Sequence, residues 1–374
     1  MNKGALAAFT LSLFVFFQPA LFAEPLYSPS WGFRIDLPEG YQYAEGNSYD
    51  RYSFHGPNGA VVDLAAYDGT YSDIEHMIDD VNRRLGNSGD MAYFEYCEKN
   101  AALFELSFMN YSGWGLCLEL ETGLLLALAY APAEGNDMNL FHFSALDSIV
   151  PTELALWRPG PIMEFGYPRG QPQEAAIFGT GLKAFIGEND AEAAQALVDR
   201  EYDLLTLYQK SPDWQEAWIR FYRAIYRDSW GRILEAVYML ERNFDAETDG
   251  EWALAEKALK WVQGFHYERD PQGSDFINLV TAVTEGRGDC DSRAMLWSMI
   301  VRHAKITTAM MVSPVHSHAM GLADISANNG ANSGARFDAY GVKWLVAETT
   351  DNVGLGLIAQ KMSDSESWIA ILFE

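Results

Sequence analysis

The sequence predicts an α+β protein with an N-terminal antiparallel sheet and one helix, a helical middle, and a C-terminal helix packed on a second antiparallel sheet. The periodicity of apolar residues carries this: period two over 24–150, helical spacing over 151–249, and a helical run followed by alternating runs over 250–374. Composition agrees. Hydrophobic residues make up 49% of the 374 positions, enough to fill cores, so the formal net charge of −26 does not signal disorder. That charge repels nucleic acid and anionic membrane surfaces and argues against both as partners.

The chain opens with "MNKGALAAFTLSLFVFFQPALFAEP". One lysine, an unbroken apolar run and a small residue at Ala23 are the layout of a secretory signal peptide over 1–23. No other segment approaches the roughly 20 apolar residues of a membrane helix. The expectation is an exported protein, periplasmic or secreted, with no membrane span.

Over 24–150, "WGFRIDL" places Phe33, Ile35 and Leu37 on one face of a strand. "YSFHGPNGAVVDLAAY" is two strands around a Gly-Pro-Asn-Gly turn. "SDIEHMIDDVNRRLG" has Ser72 and Glu75 in capping-box spacing, an apolar face of Ile74, Met77, Ile78, Val81 and Leu85, and a stop at Gly86. Strand-like runs follow at "MAYFEYC", "ALFELSFM" and "WGLCLELETGLLLALAYA". Cys97 and Cys117 lie in these strands; in an exported chain they are either a disulfide or two buried thiols. Pairing them would leave Cys290 alone among the three cysteines,. The "WGFRIDLPEGY" opening and the strand order resemble PsbP-like α+β domains; no catalytic constellation stands in this stretch, which reads as a binding or docking module.

After "WRPGPIMEFGYPRGQP" the pattern over 151–249 is helical. "NDAEAAQALVDREYDLLTLYQ" is amphipathic. "SPDWQEAWIRFYRAIYRDSW" predicts a helix with Ser211 as N-cap and Pro212 at its first position, and a core stripe of Trp214, Trp218, Phe221, Tyr222 and Ile225. "DAETDGEWALAE" sets Asp245, Glu247, Asp249, Gly250 and Glu256 at calcium-loop spacing. Glu at the third position departs from that pattern, and acidic residues commonly cap helix starts, so a helix cap is the preferred reading, with calcium as the alternative and no metal assigned.

Cys290 stands in "GRGDCDSRAMLWSMIVRHA". Gly286 and Gly288 permit a tight turn, Asp289 is a good N-cap, and Ala294, Trp297, Ile300, Val301 and Ala304 recur at helical spacing. The thiol therefore falls on a first helical turn, which favours thiolate. A helix terminus supplies roughly 0.3–1 kcal/mol against about 1.36 kcal/mol per pKa unit, so a reactive thiol also requires an imidazolium partner. "TTAMMVSPVHSHAMGLADI" reads as strand, turn and strand carrying His318, with His316 as its competitor on the same face. His303 is roughly 20 Å along the cysteine helix and out of reach. "FDAYGVKWLVAETTDN" is a further strand ending at Glu348. In this order the thiolate attacks a carbonyl, the histidine moves the proton and the acid orients the ring.

The blocks "GRGDCDSRAMLWSMIVR", "HSHAMGLAD" and "KWLVAETT", with the lead-in "ALKWVQGFHYERDPQGSDF", resemble the transglutaminase-like superfamily, whose fold is papain-like. The resemblance covers 250–374. It implies Cys290 as nucleophile, His318 as general base and acid, and Glu348 as orienting residue. Glu stands where the superfamily commonly has Asp, which leaves Asp351 as a substitute. The Cys290 N–H would be half of an oxyanion hole, with Gln263 or Tyr267 as the other half. The implied activity is thiol-dependent hydrolysis of an amide in a protein or cell-wall peptide, without a cofactor. The alternatives are a cross-linking transglutaminase and a non-catalytic binding module.

Overall fold

The computed structural model describes residues 25–373, apart from 48, 88, 136, 270–273 and 326–333. The expected signal peptide lies outside the described residues. Short strands β1 (Leu26–Tyr27) and β2 (Arg34–Ile35) pair with each other. The alternation of "WGFRIDL" is present, with Phe33 and Ile35 buried, but only two of its residues form a strand.

The N-terminal sheet contains β3 (Gln42–Gly46), β4 (Arg51–His55), β5 (Val61–Tyr67), β6 (Met91–Tyr96), β7 (Lys99–Phe108), β8 (Tyr111–Glu119) and β9 (Leu124–Pro132). Its order is β3-β4-β5-β9-β8-β7-β6, antiparallel throughout. Helix α1 (Ile74–Leu85) covers one face with Ile74, Met77, Ile78 and Val81. Its cap is Asp73, which accepts the His76 N–H at 2.8 Å, and not Ser72, whose hydroxyl bonds to Asp73 instead. Asp is as good an Ncap as Ser, and here it sits one residue closer to the apolar run.

Helix α2 (Asn139–Asp147), α3 (Pro161–Gly166) and the hairpin β10 (Pro172–Ala176) with β11 (Lys183–Gly187) lead to α4 (Asp190–Thr206) and α5 (Trp214–Asp245). The hairpin interrupts what the sequence presents as a helical segment. Helix α5 spans 32 residues and is capped at Asp213, whose N–H bonds to the Ser211 hydroxyl at 3.2 Å. Ser211 thus shapes the turn before the helix and is not its cap.

Beyond it lie α6 (Glu251–Gln263), β12 (His266–Tyr267), α7 (Leu279–Glu285), β13 (Arg287–Gly288), α8 (Cys290–His303), β14 (Thr308–Ser313), β15 (His318–Ala323), β16 (Arg336–Ala339), β17 (Val342–Ala347) and β18 (Ile369–Leu372). The last five strands form an antiparallel sheet, order β16-β17-β15-β14-β18. Helix α8 packs on it. Gly321 makes this possible, since a Cβ there would lie 2.3 Å from the Trp297 ring. One hydrophobic core runs from Met163 through α4, α5, α6 and α8 to Phe373, so no core boundary falls at 250.

A buried ionic layer joins the N-terminal part to α4 and α5. Arg200 bonds to Asp147 at 2.6 Å, Arg220 to Glu201 at 2.9 Å and Arg223 to Asp36 at 2.9 Å. The first and third pairs cross to the N-terminal part and the second ties α5 to α4; buried charges of this kind are costly unless paired, so losing one partner would leave the other uncompensated. Among the described residues no helix is long and apolar enough to cross a membrane.

Candidate active site

The cysteine is set by local chain geometry. Helix α7 ends on Gly286 in the left-handed region (φ 66°), where a side chain would also strike Phe178. Strand β13 then pairs in parallel with β12, which brings Tyr267 beside the start of α8. Asp289 is the cap of α8. Its carboxylate accepts the Ser292 N–H at 2.9 Å, and the Ser292 hydroxyl accepts the Asp289 N–H at 3.1 Å, a reciprocal box. Cys290 is the first helical residue, 2% exposed, and its sulfur accepts the backbone N–H of Ala319, the neighbour of His318.

His318 opens β15, and its ring Nε2 lies 2.8 Å from Glu348 Oε2. The register explains why a glutamate does this. Gly321 pairs with Ala347, so one further step along the ladder sets Glu348 opposite Met320 and diagonal to His318. Diagonal neighbours are about 7–8 Å apart, within reach of long side chains. The other Glu348 oxygen accepts the Thr350 N–H at 2.7 Å and the Thr350 hydroxyl at 2.6 Å. The Trp368 ring stands edge-on to His318 at 6.3 Å. His316 belongs to the turn between β14 and β15, not to a strand face, and packs on Trp368 at 5.5 Å. His303 is at the far end of α8, 3.4 Å from Glu241.

The electrostatics separate the acid from the thiol. Burial opposes ionisation of Glu348, but the His318 ring and the two Thr350 donors outweigh it and hold the carboxyl below its usual range. For Cys290 the balance runs the other way. Burial is the largest effect, the Asp291 and Asp289 carboxylates add to it, and the Ala319 N–H, which favours thiolate, does not offset them; the thiol is pushed up. This corrects the thiolate expected at a helix start, because a terminus worth under about 1 kcal/mol cannot offset burial beside two acids. The S–H points to Asp291 Oδ2 at 3.4 Å, and among the described residues no hydrogen bond joins it to His318. The same acid accepts the buried Tyr222 hydroxyl at 2.6 Å.

The other candidates divide. Gln263 is a poor oxyanion donor: its amide donates to the carbonyls of Glu348 at 2.8 Å and Val353 at 2.9 Å. Burial, with the nearby Cys290 adding to it, raises the Tyr267 phenol, and its hydroxyl bonds to Arg269. Asp351 is exposed and only its backbone N–H turns to Glu348, at 3.4 Å. The calcium-like spacing does not assemble a chelate. Glu247 pairs with Lys257, Asp245 lies 3.9 Å from Arg242, and Glu256 accepts from Trp252 at 3.0 Å. Among the described residues the acids that do converge, with the thiol between them, are Asp289 and Asp291.

Asp291 and Arg293 are contributions that sequence patterns alone did not mark. Arg293 is 2% exposed and donates to Gly288 O at 3.1 Å and Phe265 O at 2.8 Å, tying the lead-in strand to the cysteine turn. A cation at i+3 from Cys290 within an apolar helix was the available signal.

No family model matches the sequence, and no curated protein matches it. A crystal structure from Bacteroides thetaiotaomicron VPI-5482 overlays with a TM-score of 0.26 at 12% identity, covering 54% of this chain and 77% of the other. A provisionally assigned protease from Parabacteroides distasonis ATCC 8503 overlays with a TM-score of 0.23 at 10% identity, covering 79% and 68%. At such scores neither overlay carries an argument about fold or chemistry.

Proposed function

We propose that this chain is an exported, thiol-dependent amide hydrolase in which Cys290 is the nucleophile, His318 the base and acid, and Glu348 the orienting carboxylate. The observation that carries the reading is the His318–Glu348 bond at 2.8 Å beside a cysteine whose sulfur rests on the next residue's backbone N–H. The order of the three residues and their motif blocks support it, as does the signal-peptide layout of 1–23.

In the resting state the thiol keeps its proton. With Nε2 held by Glu348, Nδ1 is the ring nitrogen free to accept that proton as the sulfur adds to the substrate carbonyl. The resulting oxyanion is stabilised by the Cys290 N–H. Collapse of the adduct breaks the C–N bond, and His318 returns the proton to the departing amine. Water then hydrolyses the thioester through the same ring, restoring the thiol.

The test is release of peptides from denatured casein together with incorporation of dansylcadaverine. The expected result is release by the wild type, none by C290A or H318A, and no amine incorporation. Incorporation would make the protein a transglutaminase. Neither activity would leave it a binding module.

A further inference from the structure

A cleft of about 400 Å³ opens beside His318 and Asp291, and one of its walls is the N-terminal half of α5. The stripe Trp214, Trp218, Tyr222 reads from the sequence as core, yet only Tyr222 is fully buried. Trp214 and Trp218 are half-buried and line the cleft. Phe276 and Leu205 complete an apolar lining. The stripe ends at the reacting groups, because the Tyr222 hydroxyl bonds to Asp291, the acid that also holds the Cys290 thiol.

Each of the two rings packs on a buried cluster along one side, Trp214 on that of Phe141 and Tyr208 and Trp218 on the large α4–α8 core, and leaves its remaining area on the cleft, where facing water forgoes roughly 25 cal/mol per Å² of burial. Their arrangement limits what they hold. Successive centroids are 6.1 and 6.3 Å apart with planes tilted by 43° and 33°. Rings so tilted do not make one flat platform of the kind a sugar ring lies on. They make a concave wall around an inserted side chain, closed at one end by polar groups that orient the backbone.

We infer that this cleft is the substrate's side-chain subsite, and that it selects peptides carrying a bulky aromatic side chain next to the cleaved amide, with Trp218 as the specificity-determining residue. The inference rests on the hydrolase reading of the same site. Trp218 is central to the wall, in ring contact with both Trp214 and Tyr222.

The experiment separates binding from turnover by using the full chain with C290A. Calorimetric titration with N-acetyl-phenylalanine amide and N-acetyl-glycine amide should show the phenylalanyl ligand binding on the order of tenfold tighter or more. W218A in the C290A background should remove that preference, and W218F should restore most of it. Q209W, at an exposed position on the cleft, should occlude the site without touching the core. With active enzyme, W218A should raise KM for a phenylalanyl anilide while kcat is largely kept. Equal affinity for the two amides would overturn the subsite. So would Trp218-dependent binding of chitotetraose in place of the phenylalanyl amide. If the preference is present and depends on Trp218 but the wild type cleaves nothing, the subsite stands and the hydrolase reading fails.

Discussion

The thiol of Cys290 is donated to the carboxylate of Asp291, 3.4 Å away, and not to the histidine on the neighbouring strand. An acid beside a cysteine holds its proton on, since a second negative charge there is disfavoured. Asp291 is itself fixed by Tyr222 at 2.6 Å. The thiol is thus bonded to an acid beside the His318–Glu348 pair, and under the proposed chemistry the first event is a change of its hydrogen-bond partner.

Asp291→Asn follows from this. Removing the charge should lower the thiol's pKa and speed alkylation of Cys290 by iodoacetamide at pH 8 on the order of tenfold, the equivalent of ~1.4 kcal/mol. The rate is read by mass spectrometry of the Cys290 peptide. A rate unchanged or slower would show that Asp291 does not restrain the thiol.

Glu348→Asp tests the diagonal register. The shorter side chain starts from the same position and falls short of the His318 ring. Displacements of about 1 Å at such a site cost on the order of 10²-fold, so kcat should drop by about that factor with KM little changed. Full turnover by the aspartate variant would mean that reach is not what selects glutamate.

Glu39 gives a pH dependence away from the site. Burial, partly offset by Arg220, raises its carboxyl from the usual 4.5 to about 7. A carboxyl raised on folding contributes stability that is full below 4.5 and is lost as pH rises through about 7. Glu39→Gln should therefore leave urea stability near that of the wild type at pH 4 and exceed it at pH 8 by up to about 3 kcal/mol, at 1.36 kcal/mol per unit. A difference that does not grow with pH would contradict this.

The three cysteines are free. Cys117 faces the α1 side of the N-terminal sheet, while Cys97 borders the opposite cluster, with the sheet between them. Cys97 and Glu98 form the β6–β7 turn with φ of 51° and 63°, a conformation usual for Asn-Gly hairpins. Unfolding in urea without reductant should expose three groups to Ellman's reagent. Only one would mean a bridge between Cys97 and Cys117.

What the sequence alone determined is what neighbouring residues decide. The apolar faces of α1 and α8, the stop at Gly86, the cap at Asp289 and the strands around His318 depend on residues within a turn or a hairpin of each other, so their spacing is visible in the chain. Even there a cap moved by one residue at Asp73 and by two at Asp213, because acceptable capping residues stood within two positions of each other. Tertiary structure decided the rest. Glu348 reaches His318 through a register between β15 and β17, and Gln263 spends its amide on the loop after Glu348. Trp214 and Trp218 line a cleft because the groups facing them come from segments far along the chain. The charge state of Cys290 was the least legible feature. Burial is the largest influence on it, ahead of the two neighbouring acids, and burial is a property of everything packed around an atom, which no local spacing records.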